Sequence, residues 1–122
     1  MTAVAEWEIW AREGERLLAA RHLPEAEECF VRALALGAGA GSHAGLGLTR
    51  LARGARAEAE LELIEATRLD PRCEWGWYGR GVAAAQRGAV ADAHRCFERV
   101  LVLNPENPDA QAALALLRGE AG

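Results

Sequence analysis

Small and apolar residues return along this chain at one long interval, with charged residues between them. Gly14, Gly47 and Gly81 are almost evenly spaced. Ala26, Ala59 and Ala93 keep the same intervals, and so do Phe30, Leu63 and Phe97. Beside these sets lie Glu25, Glu27 and Glu28, then Glu58, Glu60, Glu62 and Glu65, then Asp92, Arg95, Glu98 and Arg99. Helices with one apolar stripe and one solvated face carry this arrangement. Apolar stretches end at RLDP and VLNP, where Pro71 and Pro105 are separated by the same interval as Gly47 and Gly81; the residue before a proline disfavours helical backbone. Gly54 and Gly88 mark tight turns, and Pro24 is placed to open a helix. The pattern predicts helices near 4–20, 23–36, 42–53, 56–69, 74–87, 90–103 and 108–118. Asn107 is the expected N-cap of the seventh, with Pro108 as its first residue. Its apolar residues Ala112 and Leu116 are expected to cover the open end of the preceding helices.

Several independent markers sharing one period define an internal repeat. Trp10 and Trp77 add another, each one helical turn before a glycine of the first set. On these residues the chain resembles the tetratricopeptide repeat family. The first unit, about 7–39, offers Trp10, Gly14, Ala26, Phe30 and Ala33. The second, about 40–73, offers Leu46, Gly47, Ala59, Leu63, Ala66 and Pro71. The third, about 74–107, offers Trp77, Gly81, Ala93, Phe97 and Pro105. Ala38, His43 and Val100 depart from the family pattern, standing where a Pro, a Trp and an Ala belong. The resemblance implies an all-α fold over 1–122: a right-handed superhelical solenoid of antiparallel helix pairs, closed by a capping helix at about 108–118. One such unit cannot bury its apolar face alone, so neighbours stack. With that cap the chain reads as complete.

Charge and composition narrow the function classes. The 122 residues carry a net charge of -4, and every one of the 14 basic residues is Arg, as in a GC-rich genome. That balance gives no electrostatic footprint for nucleic acid. No apolar run reaches the length of a membrane helix, and the N-terminus lacks the pattern of a secretory signal. Three cysteines without a signal point to reduced thiols in a cytoplasm. Cys29 and Cys96 share one repeat position and read as packing residues, while Cys73 is the thiol expected to be exposed. His22, His43 and His94 form no zinc-binding spacing. GAGAGSHAGLG follows a helix, not a strand, so it is no phosphate loop. Gly41, Gly45 and Gly47 are expected to make the third helix the most labile. No acid, base, nucleophile or cofactor site emerges, and an enzyme is not expected.

The resemblance places a concave groove on the first helix of each unit. It implies Glu8, Ala11, Arg12 and Glu15 from the first unit, Ala44, Leu48 and Leu51 from the second, and Trp75, Tyr78, Val82 and Gln86 from the third. Trp75 and Tyr78 either anchor a partner's side chain or pack internally against Trp77 and the previous helix. Family members that hold a chaperone's C-terminal carboxylate use Lys, Arg or Asn at slots where this chain has Ala11, Glu15, Gly45, Trp75 and Gly79, so that capture is not expected. The expected function is a small adaptor or scaffold that binds a protein or peptide segment in this groove. The alternatives are self-assembly through the same groove into a homo-oligomer, and a secretion-type chaperone shielding an apolar segment.

Overall fold

A computed structural model describes residues 3–119. Its seven helices are α1 (Glu6–Ala19), α2 (Leu23–Ala35), α3 (Ala40–Ala52), α4 (Arg56–Leu69), α5 (Glu74–Gln86), α6 (Val90–Leu103) and α7 (Pro108–Leu117), with no strand among the described residues. These are the seven helices read from the pattern; residues 1, 2 and 120–122 lie outside the description. Short turns force each consecutive pair to run antiparallel. The pairs α1–α2, α3–α4 and α5–α6 pack most closely, and α2–α3, α3–α5, α4–α5 and α6–α7 join them into one stack.

The turns explain where the helices stop. After α1, α3 and α5 the chain enters left-handed backbone for one residue: Arg21 (φ 65°), Gly54 (φ 85°) and Gly88 (φ 82°). In each case two amides fold back onto the last helical turn; His22 donates to the Leu17 carbonyl at 2.8 Å and Arg21 to Leu18 at 3.0 Å. That is the Schellman closure, which favours glycine at its left-handed position. Gly37 (φ 102°) closes α2 likewise, with the Ala38 amide reaching the Ala33 carbonyl at 3.0 Å. This closure stands in for the missing proline and lets α3 start at Ala40, slightly before its expected start.

The core follows the repeat markers. Ala26, Ala59 and Ala93 are fully buried, as are Phe30 and Leu63, with Phe97 nearly so. Each of the three larger side chains presses on the glycines of neighbouring first helices. A Cβ at Gly14 would lie 3.0 Å from Phe30, and one at Gly45 2.5 Å from the same ring. Leu63 fills the space between Gly47 and Gly79, where a Cβ would come within 2.6 and 2.3 Å of it. Phe97 lies against Gly81 in the same way, at 2.6 Å. The small residues are therefore the sockets for one large side chain per unit.

Seven residues of α3 are buried, including Gly45 and Gly47, and its glycines admit Phe30 and Leu63. The capping helix is rotated from the expected face. Ala110 and Leu114 are buried, Ala113 and Leu117 pack against the same cluster, and Leu116 stays 66% exposed with Ala112. The N-cap fixes this rotation, because Asn107 Oδ1 accepts the Ala110 amide at 3.0 Å. The Asn107 amide nitrogen also donates to Glu74 Oε1 at 3.1 Å, as Asn104 does at 3.0 Å. Glu74 thus ties the start of α5 to the loop that launches α7.

Candidate functional site

The helices α1, α3 and α5 lie side by side and build one continuous face. At its N-terminal end is a cleft of about 530 Å³. One wall is Trp7, Ala11 and Glu15 of α1, one turn apart in succession. The other is the start of α3 from Ala40 to Ser42, with Leu69 and Asp70 from the end of α4. Gly39 and Gly41 line the cleft as well, and a Cβ at either would meet nothing within 4 Å. Its ionisable lining groups, Glu15 and Asp70, are both carboxylates and both exposed. An apolar bed rimmed by negative charge is the result.

The structure brings only part of the expected groove to the surface. Ala11 and Glu15 line the cleft. Glu8 and Arg12 lie on the same helix and pair with each other at 3.5 Å. Trp75 is 39% exposed near the start of α5, and Gln86 is exposed at its end. Leu48 and Val82 are half-buried, packed against the cluster of Leu51, Ala59, Leu63 and Ala83. Ala44 and Leu51 do not belong to the surface, being 0% and 6% exposed. Close approach of α3 to its neighbours, permitted by Gly45 and Gly47, closes over both.

Tyr78 is corrected in its packing. It meets Phe97, with ring centroids 5.7 Å apart and planes tilted by 52°, in the cluster that also holds Leu114. Trp77 is not its partner. Burial raises the Tyr78 pKa, aided by the charge of Asp109. Trp7, Leu69 and Asp70 were missed as lining residues. Trp7 stands one turn before Ala11 on the same α1 face, which was a legible signal. Asp70 is brought in by the chain reversal after α4, which spacing does not reveal.

The opposite side carries an ion-pair network between the first two helix pairs. Arg50 donates to Glu27 at 2.9 Å and to Glu62 at 3.2 Å, Glu62 meets His43 Nδ1 at 2.7 Å, and Arg53 also pairs with Glu27. The hydrogen bond from Arg50, with Arg53 beside it, holds the Glu27 carboxyl below the usual range. Two glutamates of the charged faces, Glu27 and Glu62, are thus already partnered. Burial pushes all three cysteine thiols up, away from the thiolate that nucleophilic chemistry needs. Cys29 is buried and Cys73 only half-buried, less open than expected.

Comparison with known proteins gives a consistent likeness. The family profile described as tetratricopeptide repeat matches residues 75–107. Among solved structures, the second tetratricopeptide domain of human RPAP3, in complex with the HSP70 peptide SGPTIEEVD, is 28% identical with a TM-score of 0.75. The match covers 92% of this chain and 95% of that one. The corresponding domain of Arabidopsis OM64 superposes with a TM-score of 0.81 at 23% identity, over 94% of this chain and 96% of that one. Among curated proteins, ypp1 of Schizosaccharomyces pombe, named for cargo transport, is 32% identical over 74 residues. Those residues are 59% of this chain, and the match spans 9% of ypp1's length.

Proposed function

This chain is a tetratricopeptide-repeat solenoid, and on that premise we propose that it is a protein-interaction module binding a peptide segment along the face of α1, α3 and α5. The units are 7–39, 40–73 and 74–107, with 108–118 as the cap. The observation that carries the reading is the cleft of Trp7, Ala11, Glu15 and Asp70, with Trp75 exposed near the start of α5. An aromatic bed accepts an apolar side chain, and the two carboxylates favour a cation beside it. The peptide is therefore apolar with a flanking Arg or Lys. An acidic tail such as the one in the RPAP3 complex meets Glu15 and Asp70 here, with no lysine or arginine among the described residues that line the cleft. Self-association through this face is the rival occupant.

No catalytic step is assigned to the chain. Among the described residues no helix is long and apolar enough to cross a membrane. The three unpaired thiols fit a reducing compartment such as the cytoplasm.

The test is binding of a fluorescent Arg-Leu-Trp-Arg peptide, followed by anisotropy, to the wild type and to Trp75→Glu and Glu15→Arg. Charge repulsion in Glu15→Arg is expected to weaken binding about tenfold or more. Unchanged affinity in both variants would remove the reading. Light scattering across concentration separates self-association, which would enlarge the protein without any peptide.

A further inference from the structure

A second groove, of about 580 Å³, lies on the other side of the solenoid, with α4 and α6 as walls and α5 as floor. Trp77 forms its base, pinned by a hydrogen bond from its indole nitrogen to the Pro71 carbonyl at 2.8 Å. Two guanidinium groups lie over that ring. The Arg80 carbon is 4.7 Å from the ring centroid and the Arg99 carbon 5.4 Å. Stacking on an indole orients a guanidinium while leaving its edge donors free. Arg80 spends one donor on the Thr67 hydroxyl at 3.0 Å. Neither Arg80 nor Arg99 forms an ion pair among the described residues. Arg87 reaches Glu60 and Asp92 at 3.4 and 3.5 Å, and Arg95 pairs with Asp92. Four arginines thus face two carboxylates in one groove.

The preceding groove provides an internal control. One unit earlier, Glu27, Arg50, Arg53 and Glu58 line the equivalent place, and both arginines are held by Glu27. Where the second groove has Trp77, Cys96 and Arg99, the matching positions of the preceding unit are His43, Glu62 and Glu65. The tryptophan is the usual residue at this position, and in the first unit Trp10 carries Arg32 over its ring at 4.7 Å. That arginine, however, is paired with Glu28 at 3.4 Å, so what sets the second groove apart is two stacked arginines without a carboxylate partner among the described residues.

We propose that this second groove docks an acidic peptide segment. A carboxylate is taken by Arg99 and Arg80, and a neighbouring apolar side chain lies against Trp77 and the half-exposed Ile64. Charge complementarity selects this occupant. Trp77 and Ile64 beside the arginines favour a protein segment that carries an apolar side chain next to its carboxylate, which a phosphodiester backbone does not offer. The surface is distinct from the α1–α3–α5 cleft, so it does not depend on what that cleft binds.

The experiment titrates a fluorescein-labelled peptide of six glutamates around one leucine, with a single-stranded oligonucleotide as comparator. The wild type is expected to bind the peptide and to lose most of that affinity as salt rises from about 0.05 to about 0.5 M. Arg99→Glu, at an exposed position, is expected to weaken binding about tenfold or more. Glu60→Gln, which removes one competing carboxylate, is expected to tighten it. Arg53→Glu in the first groove and Trp75→Glu on the opposite face are expected to leave it unchanged. Absence of peptide binding at low salt, equal loss in Trp75→Glu, or preference for the oligonucleotide would each overturn the proposal. So would self-association that Arg99→Glu abolishes while the peptide fails to bind.

Discussion

The packing of Leu63 between two glycines gives a test in which the sign of the effect is decisive. A glycine inside a helix costs about 1 kcal/mol relative to alanine, so Gly→Ala stabilises a helix wherever a methyl group fits. At Gly79 it does not fit. The new Cβ would lie 2.3 Å from Leu63 Cδ2, 3.1 Å from Cδ1 and 3.2 Å from Cγ. Leu63 is fully buried and is braced on its other side by Gly47, so it cannot retreat. Overpacking of a filled core costs roughly 1–3 kcal/mol, and with contact on both sides the upper half of that range applies. Gly79→Ala is then expected to lose about 1–2 kcal/mol net, lowering Tm by about 4–8 °C. At Gly41 a Cβ meets nothing within 4 Å, and Gly41→Ala is expected to gain up to about 1 kcal/mol. Thermal and urea unfolding followed by far-UV circular dichroism read both. Adding Leu63→Ala to Gly79→Ala is expected to recover part of the clash, giving a coupling energy of about 0.5–3 kcal/mol. A rise in Tm for Gly79→Ala, or strict additivity of the pair, would refute the socket arrangement.

Further outcomes follow from single residues. Arg21→Gly places glycine in the left-handed slot that Gly54 and Gly88 fill in the other units; a stabilisation of about 1 kcal/mol in urea unfolding is expected. Glu74→Ala removes the acceptor of both Asn104 and Asn107 and is expected to cost about 1–2 kcal/mol, with amide exchange in α7 rising first. Glu27 titrates below the usual glutamate range in the folded state because of Arg50 and Arg53. Its stabilisation is complete above the unfolded value of about 4.3 and is lost as pH falls through the lower folded value. Glu27→Gln is therefore expected to destabilise the protein near neutral pH, with the gap to the wild type closing in acid. Tyr78→Glu would set a charge against Phe97 and is expected to unfold the third helix pair, whereas Trp75→Glu is expected to leave helicity intact.

The helix pairs were legible because their determinants are local and repeated. Gly81, Ala93 and Phe97 all lie within the single pair α5–α6, and the same trio occurs in the two earlier units in the same order save Leu63 for phenylalanine. What faces outward depends on rotation, and rotation is set by capping and by the neighbour. Asn107 turns α7 so that Leu114 enters the core and Leu116 leaves it. Ala44 and Leu51 are buried where their equivalents in the other units, Ala11, Leu18 and Tyr78, are half-buried and Ala85 is exposed, because the glycines of α3 let the neighbouring helices close over them. The cleft draws Asp70 from beyond α4 onto α1. The arginine groove joins Trp77 of α5 to Arg99 of α6 across the turn between them. Comparing units position by position would have exposed the change from Glu65 to Arg99.

A cationic, apolar peptide is expected to dock on the α1–α3–α5 face. An amide chemical-shift map of the protein, titrated with the Arg-Leu-Trp-Arg peptide, tests it most directly. The expected result is saturable shifts at Trp7, Ala11, Glu15, Gly41, Leu69, Asp70 and Trp75, with α6 and the rest of α4 unmoved. Shifts confined to α4 and α6, or none at a peptide excess that saturates anisotropy, would contradict it.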